Sequence, residues 1–173
     1  MVISGVNPTE ERKKAVDFSD VYYTSKGIFV VNKDSEEIKS VADLKNKKIG
    51  VQKGSTYETY AKEQLKMDDK NIQALTDVPS LLQDLKNKKI DAVLIPDDVA
   101  KIAMNKYTDI KISTFTADND PEATGMAIAF KKGKNDSNKE LLEQVNAVIK
   151  EIQDQKAFEK ELDKYAKVAA QSE

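Results

Sequence analysis

Residues 48–65 read Lys48-Ile-Gly-Val-Gln-Lys-Gly-Ser-Thr-Tyr-Glu-Thr-Tyr-Ala-Lys-Glu-Gln-Leu65. The opening Lys48–Gln52 is short and apolar, a strand; Tyr57–Leu65 repeats its apolar residues at helical spacing; Gln52-Lys-Gly-Ser-Thr56 joins the two as a turn. The same rhythm extends in both directions. Gly27-Ile-Phe-Val-Val-Asn32 is a strand, and Ser40-Val-Ala-Asp43 opens a short helix with Ser at the N-cap and an acid three residues on. Downstream, strands are predicted near Ile72–Leu75, at Ile90–Ile95 and at Ile110–Phe115, alternating with helices over Pro79–Lys86 and Asp98–Asn105. Short apolar strands between amphipathic helices predict an α/β fold, with a parallel sheet covered on both faces.

A local repeat marks the helix-to-strand joints. Asp43-Leu-Lys-Asn-Lys-Lys-Ile49 recurs as Asp84-Leu-Lys-Asn-Lys-Lys-Ile90. In each copy a helix ends, Asn46 or Asn87 is expected to take the left-handed conformation, and a strand begins. Lysines near a helix C-terminus suit its dipole, which favours a structural reading over nucleic-acid contact. After Phe115 the stretch Thr116–Gly125 is rich in turn residues and reads as a linker, and Met126–Phe130 as a strand. Two helices end the chain. The first opens with a capping box at Ser137-Asn-Lys-Glu140 and carries Leu141, Leu142, Val145, Val148, Ile149 and Ile152 on one face; the second spaces Phe158, Leu162, Tyr165 and Val168 in the same way. Both stripes are expected to pack into a core. At the other end, Val2–Ser4 reads as the tail of a strand, Thr9-Glu-Glu caps a short helix running to about Val16, and Asp17–Tyr23 reads as irregular and aromatic-rich.

Composition narrows the chemistry. With 173 residues, 39% hydrophobic and 34% charged, the chain has the make-up of an ordinary globular protein. It contains no histidine and no cysteine, which removes the usual general base, the commonest metal ligands, the cysteine nucleophile and any disulfide. Enzymes become the minority reading, and no cofactor is expected. Net charge is −2 and no face stands out as one-signed, so nucleic acid is not an expected partner. No apolar run reaches the ~18 residues of a membrane span, and the opening residues carry no signal-peptide pattern.

Two local patterns carry possible binding chemistry. In Gln52-Lys-Gly-Ser-Thr56, Gly54 allows a tight turn and Ser55 and Thr56 stand at the start of a helix. The backbone N–H groups there and the positive end of the helix dipole suit an anion, although Ser and Thr also cap helices for purely structural reasons. In Asn7-Pro-Thr-Glu-Glu-Arg12, the arginine lies about one turn into a short helix, where a salt bridge to Glu10 or Asp17 is the structural alternative.

Taken together, these patterns match a known family. The run Ile3-Ser-Gly-Val-Asn-Pro-Thr-Glu-Glu-Arg-Lys-Lys-Ala-Val-Asp-Phe-Ser-Asp-Val-Tyr-Tyr23 resembles the signature of polar amino-acid-binding proteins of ABC importers, extracellular solute-binding proteins of family 3. The ligand-binding cores of ionotropic glutamate receptors are similar. The resemblance continues through Ser40–Leu44, Ile49–Thr56, Asp91–Leu94 and Gly125–Phe130. It implies a periplasmic-binding-protein-like fold of type II, with one complete doubly wound lobe and an incomplete second lobe. On this reading residues 1–24 are a remnant of lobe 1, 25–122 are lobe 2, and 123–173 return to lobe 1. The resemblance further implies that Arg12 grips the α-carboxylate of an amino acid and that Thr56, beside Ser55, meets the same carboxylate from the other lobe. Gly5 and Asn7 would contact the ligand's amino group or carboxylate, and Gln52 would face its side chain.

There are two departures from the family pattern. Where the family usually has an acid that holds the ligand ammonium, this chain has Pro96, in Ile95-Pro-Asp-Asp98, and Asp97 takes over if the loop shifts by one. Relative to the family, roughly the first quarter to third of the chain is absent, including an aromatic clamp. The expectations that follow are ligand binding no tighter than millimolar, exposed strand edges that invite dimerisation or strand exchange, and a parent protein outside the cell membrane, either extracellular and held by a lipid anchor or periplasmic, partnered by permease subunits. Two rival readings are an adhesion protein on the same scaffold and a relative of cyclic-acid dehydratases with Glu58 or Asp97 as general acid.

Overall fold

The computed structural model describes residues 1–117, 124–133, 138–155 and 157–171. It divides into two compact units, Met1–Ser25 with Asp120–Tyr165, and Lys26–Asn119 with Ala166–Glu173.

The second unit is built on a five-stranded sheet. Its strands are β2 (Gly27–Asn32), β3 (Ile49–Gln52), β4 (Ile72–Leu75), β5 (Ala92–Pro96) and β6 (Ile110–Ala117), in the order β4-β3-β5-β2-β6. Helices α2 (Thr56–Glu63), α3 (Val78–Lys86) and α4 (Asp97–Lys106) link β3 to β4, β4 to β5 and β5 to β6. Period-two alternation sends neighbouring residues to opposite faces. Phe29, Val31, Ala92 and Leu94 pack with Tyr57, Tyr60 and Ala61 of α2. Ile28, Val30, Val93 and Ile95 pack with Leu81, Leu82 and Leu85 of α3 and with Ala100 and Ala103 of α4. The sheet is thus covered on both faces, as the apolar strands require.

One strand departs from the expected parallel sheet. β3 runs parallel to β4 and β5, but β2 runs antiparallel to both β5 and β6. A crossover helix returns the chain to the end of the sheet where it started, which keeps helix-linked strands parallel. Between β2 and β3 there is only a 3-10 turn, Val41–Leu44, so β3 starts from the opposite end. That turn carries the expected capping box, with Asp43 Oδ2 accepting from the Ser40 N–H at 3.0 Å.

The two copies of the heptapeptide end differently. Asn46 is left-handed (φ 67), whereas in the second copy the left-handed residue is Lys88 (φ 56) and Asn87 is not (φ −77). The second copy follows a full α-helix and closes it with a Schellman pair, the Lys89 N–H donating to the Asp84 carbonyl (2.9 Å) and the Lys88 N–H to the Leu85 carbonyl (3.0 Å). That geometry fixes the left-handed position one residue later.

The first unit contains α1 (Glu10–Ala15), the antiparallel pair β1 (Val16–Thr24) and β7 (Gly125–Lys131), the helix α5 (Lys139–Asp154) and the start of α6 (Ala157–Gln171), whose residues from Ala166 on group with the second unit. Residues 17–23, read from sequence as irregular, belong to β1. Two register shifts against β7 break its alternation, which hides the strand from a periodicity test. Along the other edge of β7, Val2 exchanges backbone hydrogen bonds with Ala129 and the Ala127 N–H donates to the Val6 carbonyl. Ile149 of α5 packs on Ile128 and Phe130, and the N-cap of α5 is Asn138 rather than Ser137, which lies outside the described residues. The expected core packing of the two final stripes is only partly present. Leu141, Val148, Ile152, Tyr165 and Val168 are exposed, and among the described residues the sheet of the first unit has two strands.

Candidate functional site

In the second unit, β3 and β5 are neighbours whose onward connections diverge. After β3 the chain turns outward to β4, and after β5 it crosses β2 to reach β6. Such a switch point leaves a crevice outside the carboxyl ends of the two strands, the usual ligand position in open α/β sheets. Gln52 ends β3 and Pro96 ends β5, so Gln52–Thr56 and Asp97–Asp98 border the same edge. Gly27 ties the two borders together, since it pairs with Pro96 and lies against the ring of Tyr57.

At the β3 border, Gly54 takes φ +73, the left-handed turn for which glycine is suited. Ser55 is the N-cap of α2, its hydroxyl accepting from the Glu58 N–H at 3.3 Å. The Glu58 carboxylate in turn accepts from the Gly54 N–H at 2.7 Å and pairs with Lys62 at 2.9 Å. The bond from Lys62 and then the Gly54 N–H hold the Glu58 carboxyl below the usual glutamate range. A carboxyl kept ionised in this way is poorly suited to be a general acid. Gln52, exposed, donates from Nε2 to the Thr76 carbonyl at 3.1 Å, which turns its amide toward the β4 side.

At the β5 border, Pro96 is the N-cap of α4 and makes no side-chain cap bond. Asp97 is tied to the start of β2. Its Oδ1 accepts from the Lys26 N–H at 3.1 Å, and its own N–H donates to the Lys26 carbonyl at 2.9 Å. Asp98 differs. Its Oδ1 is sealed from solvent and has no hydrogen-bond partner among the described residues, and burial raises its pKa above the ordinary aspartate value. Sequence reasoning weighed Asp97 and missed Asp98, because two adjacent acids in the first turn of a helix differ only in the direction they face.

In the first unit, three of the expected residues gather in one place. Asn7 Nδ2 donates to the Gly125 carbonyl at 2.8 Å, and Arg12 Nη1 donates to the Asn7 carbonyl at 3.3 Å. Gly5 is exposed, with a Cβ there reaching no closer than 3.7 Å to Met126. Thr9 caps α1 by accepting from the Arg12 N–H. The structural alternative for Arg12 named two acids, and both are engaged by lysines: Glu10 by Lys13 at 2.6 Å and Asp17 by Lys132 at 3.0 Å. Among the described residues no group of three or more acids is placed to hold a metal ion, and no helix is long and apolar enough to cross a membrane.

A mixed α/β unit with a switch-point crevice, in a chain that divides into two compact units, defines the class of two-unit binding proteins. The chain belongs to the bacterial extracellular solute-binding proteins, family 3, which it matches over residues 1–168. It is 39% identical over 165 residues to the arginine-binding extracellular protein ArtP of Bacillus subtilis (strain 168), covering 92% of this chain and 60% of that protein. It is 36% identical over 155 residues to the L-cystine-binding protein TcyJ of Escherichia coli (strain K12), covering 88% of this chain and 54% of that one. Among solved structures, the substrate-binding protein AbpA from Streptococcus pneumoniae Canada MDR_19A, bound to L-arginine, superimposes with a TM-score of 0.77 at 36% identity, over 97% of this chain and 66% of that chain. The chain therefore spans about 60% of the length of its arginine-binding relative from B. subtilis.

Proposed function

We propose that this chain is the substrate-binding part of an ABC-type amino-acid importer and that its ligand is a polar amino acid, with arginine as the first candidate. The ligand α-carboxylate is held by the Arg12 guanidinium on one side and by the start of α2, at Ser55 and Thr56, on the other. A planar fork suits a carboxylate, and charge-assisted bonds of this kind contribute ~1.5–3 kcal/mol each. The two units correspond to the two lobes, Gln52 and Asp97 border the ligand, and Gly5 and Asn7 contribute from the Arg12 side. The observation that carries the reading is the switch-point crevice bordered by Gln52–Thr56 and Asp97–Asp98, in a chain 39% identical to an arginine-binding protein. Relatives described as binding cystine and histidine keep the side-chain selectivity open among polar amino acids.

The reading includes closure on the ligand, presentation to permease subunits, and a location outside the cell membrane with attachment through lipid. No chemistry on the ligand is involved. The test is an NMR titration of the chain with arginine, histidine and cystine, run to the highest concentration each solubility allows, about 10 mM for arginine, because a millimolar complex is worth only about −4 kcal/mol. Saturable shifts of the Gly54, Ser55 and Thr56 amides are expected with arginine. They are lost in Arg12→Ala while the rest of the spectrum is retained. Absence of saturable shifts with every amino acid tried, or shifts that persist unchanged in Arg12→Ala, would overturn it.

A further inference from the structure

The heptapeptide Asp-Leu-Lys-Asn-Lys-Lys-Ile, at 43–49 and again at 84–90, takes no part in the proposed amino-acid site, and the fold sets its two copies side by side. The first runs into β3 and the second into β5, which are neighbouring parallel strands. Lys48 and Asp91 join them, the Asp91 N–H donating to the Lys48 carbonyl at 2.8 Å and the Lys48 N–H to Asp91 Oδ2 at 2.6 Å. Lys66 precedes β4, on the other side of β3. Lys66, Lys45, Lys47, Lys48, Lys88 and Lys89 therefore form a row across the starts of three adjacent strands, at the end of the sheet opposite the crevice. Strands lie ~4.8 Å apart, so the row runs about 10 Å across the sheet. At its β4 end it opens into a hollow of about 300 Å³, lined by the buried Leu44, the half-buried Leu65 and Met67, and the exposed Lys45, Asn46 and Lys66. Asp68 also lines the hollow and is paired with Lys70 at 3.3 Å.

Within the two copies six lysines stand against two aspartates. Lys86, Lys88 and Lys89 have acid partners, Asp109 at 3.6 Å, Asp34 at 2.7 Å and Asp84 at 2.9 Å. Lys45, Lys47, Lys48 and Lys66 form no ion pair among the described residues, and Asp43 and Asp84 feel Lys47 and Lys48 only at longer range. A helix dipole accounts for Lys86, in the last turn of α3, but not for Lys45–Lys48, which follow a single 3-10 turn. The backbone points the same way. Among the described residues three non-glycine residues have left-handed φ, Asn46 (67), Lys66 (49) and Lys88 (56), and all three lie at this end of the sheet. Glycine takes that conformation without penalty, so a lysine there keeps its charge at a conformational cost. Such positions are held for something other than the fold.

We propose that this end of the second unit binds a linear phosphate polyanion, which enters the hollow between Lys45 and Lys66 and runs past Lys47 and Lys48 toward Lys88 and Lys89. Lysine ammonium groups are compact point charges that suit phosphate, and the Asn46 and Asn71 amides add neutral donors at the hollow. A bilayer surface is flat and does not enter a hollow. Neither copy of the heptapeptide carries an aromatic side chain on which a nucleobase would stack. The proposal stands apart from amino-acid binding, since the carboxylate seat is at the start of α2 and Lys66 lies beyond its end.

Titration of the whole chain with linear inorganic polyphosphate, followed through its amide NMR signals and repeated over a range of salt, tests it. Shifts are expected at Lys45–Lys48 and Lys66, and log K should fall against log salt with a slope of about −3, four lysines at roughly −0.7 each. Lys45→Gln, Lys48→Gln and Lys66→Gln together should weaken binding ~100-fold, each lysine beside a polyanion being worth roughly a factor of five. The same change at Lys14, Lys101 and Lys150, exposed lysines outside the row, should leave it nearly unchanged. The wild-type shift map and salt slope do not depend on the variants folding. Equal losses in the two triple variants overturn the proposal, because net charge alone would then account for the binding. So do shifts confined to Gly54, Ser55 and Thr56, tighter binding of single-stranded DNA than of polyphosphate of equal charge, binding of anionic vesicles in place of polyphosphate, or no saturable binding at about 50 mM salt.

Discussion

Tyr57 packs against Gly27 so closely that a Cβ at residue 27 would stand 2.6 Å from Tyr57 Cε1 and 2.8 Å from the Ala117 Cβ. The contact joins three parts of the crevice edge: α2 through Tyr57, β6 through Ala117, and β5 through Pro96, the cross-strand partner of Gly27. Gly27→Ala therefore has to push apart a buried ring and a neighbouring strand. Overpacking of this kind costs about 1–3 kcal/mol. A fall in the urea midpoint at unchanged slope is expected, with the loss of any amino-acid response at the α2 tip. An unshifted midpoint would show that the sheet yields at no cost.

Lys88 should be improved by removal of its side chain. It holds φ 56 at the position after the α3 cap, a conformation that β-carbon-bearing residues adopt at a penalty and glycine does not. Its ion pair with Asp34 is short (2.7 Å), but its partners are 68% and 66% exposed, so little is lost with it. Lys88→Gly is expected to stabilise the fold by about 0.5–1 kcal/mol, read as a rise in the thermal midpoint. The same change at Lys86, inside α3, is expected to destabilise by a similar amount.

Asn32 is a polar residue in a fully buried strand, and its role is specific. Its Nδ2 donates to the Leu85 carbonyl at 2.7 Å, which ties β2 to the last turn of α3. Asn32→Leu removes the donor and forces a branched side chain against that carbonyl, and a loss of about 1–3 kcal/mol in chemical denaturation is expected. Asn32→Asp is expected to be worse, because an uncompensated charge would face the carbonyl oxygen.

What the sequence could show was whatever repeats along it. The apolar alternation of Phe29–Val31 and Ala92–Ile95 and the helical spacing in α2 and α3 are local signals, and they placed the sheet and its two covering layers. Strand direction is not local. β2 is antiparallel only because residues 33–48 hold no crossover helix, an absence that is easy to pass over. β1 escaped because its register shifts erase the alternation that marks a strand. Arg12 and Asn7 are candidates by motif alone, and the structure adds the bond between Arg12 and the Asn7 carbonyl. The engagement of Asp97 with Lys26, against the orphaned oxygen of Asp98, depends on where two adjacent side chains point after Pro96. The stripes on α5 and α6 show the limit most plainly. Helical spacing records that a face is apolar, and says nothing of whether a surface is there to receive it.

Asp98 makes a prediction about acidity. Burial is the main cause of its raised pKa; the bond from the Val99 N–H opposes it, the Asp97 charge adds to it, and the Asp98 N–H opposes it more weakly. A carboxyl whose folded-state pKa lies above its unfolded value favours the fold at low pH, and that advantage is lost as pH rises through the folded value. At neutral pH the ionised group is therefore a burden. Asp98→Asn is expected to raise the thermal midpoint at pH 7, with the gain shrinking as pH falls toward the ordinary aspartate range near ~4. A gain independent of pH would assign the effect to packing. If instead Asp98→Asn abolishes the arginine response while stabilising the fold, the orphaned oxygen serves the ligand.

Glu58 should behave in the opposite sense. Lys62, and then the Gly54 N–H, hold its folded-state pKa below the ordinary glutamate value. Between the two values the unfolded chain binds more protons than the folded one, so the stabilisation is complete above the unfolded value, near ~4.3, and drains away as pH falls through the folded one. Glu58→Gln keeps an acceptor for Gly54 but loses its charge. Because Lys62 is 43% exposed, solvent weakens the pair, and about 0.5–1.5 kcal/mol is the expected loss at pH 7. The wild-type and variant curves should converge in acid, where the carboxyl of the native protein is also neutral. The same substitution removes a negative charge from the first turn of α2, where the proposed ligand carboxylate would meet it. Amino-acid affinity in Glu58→Gln is therefore expected to rise even as stability at pH 7 falls, a split that a purely structural role for the α2 tip would not produce.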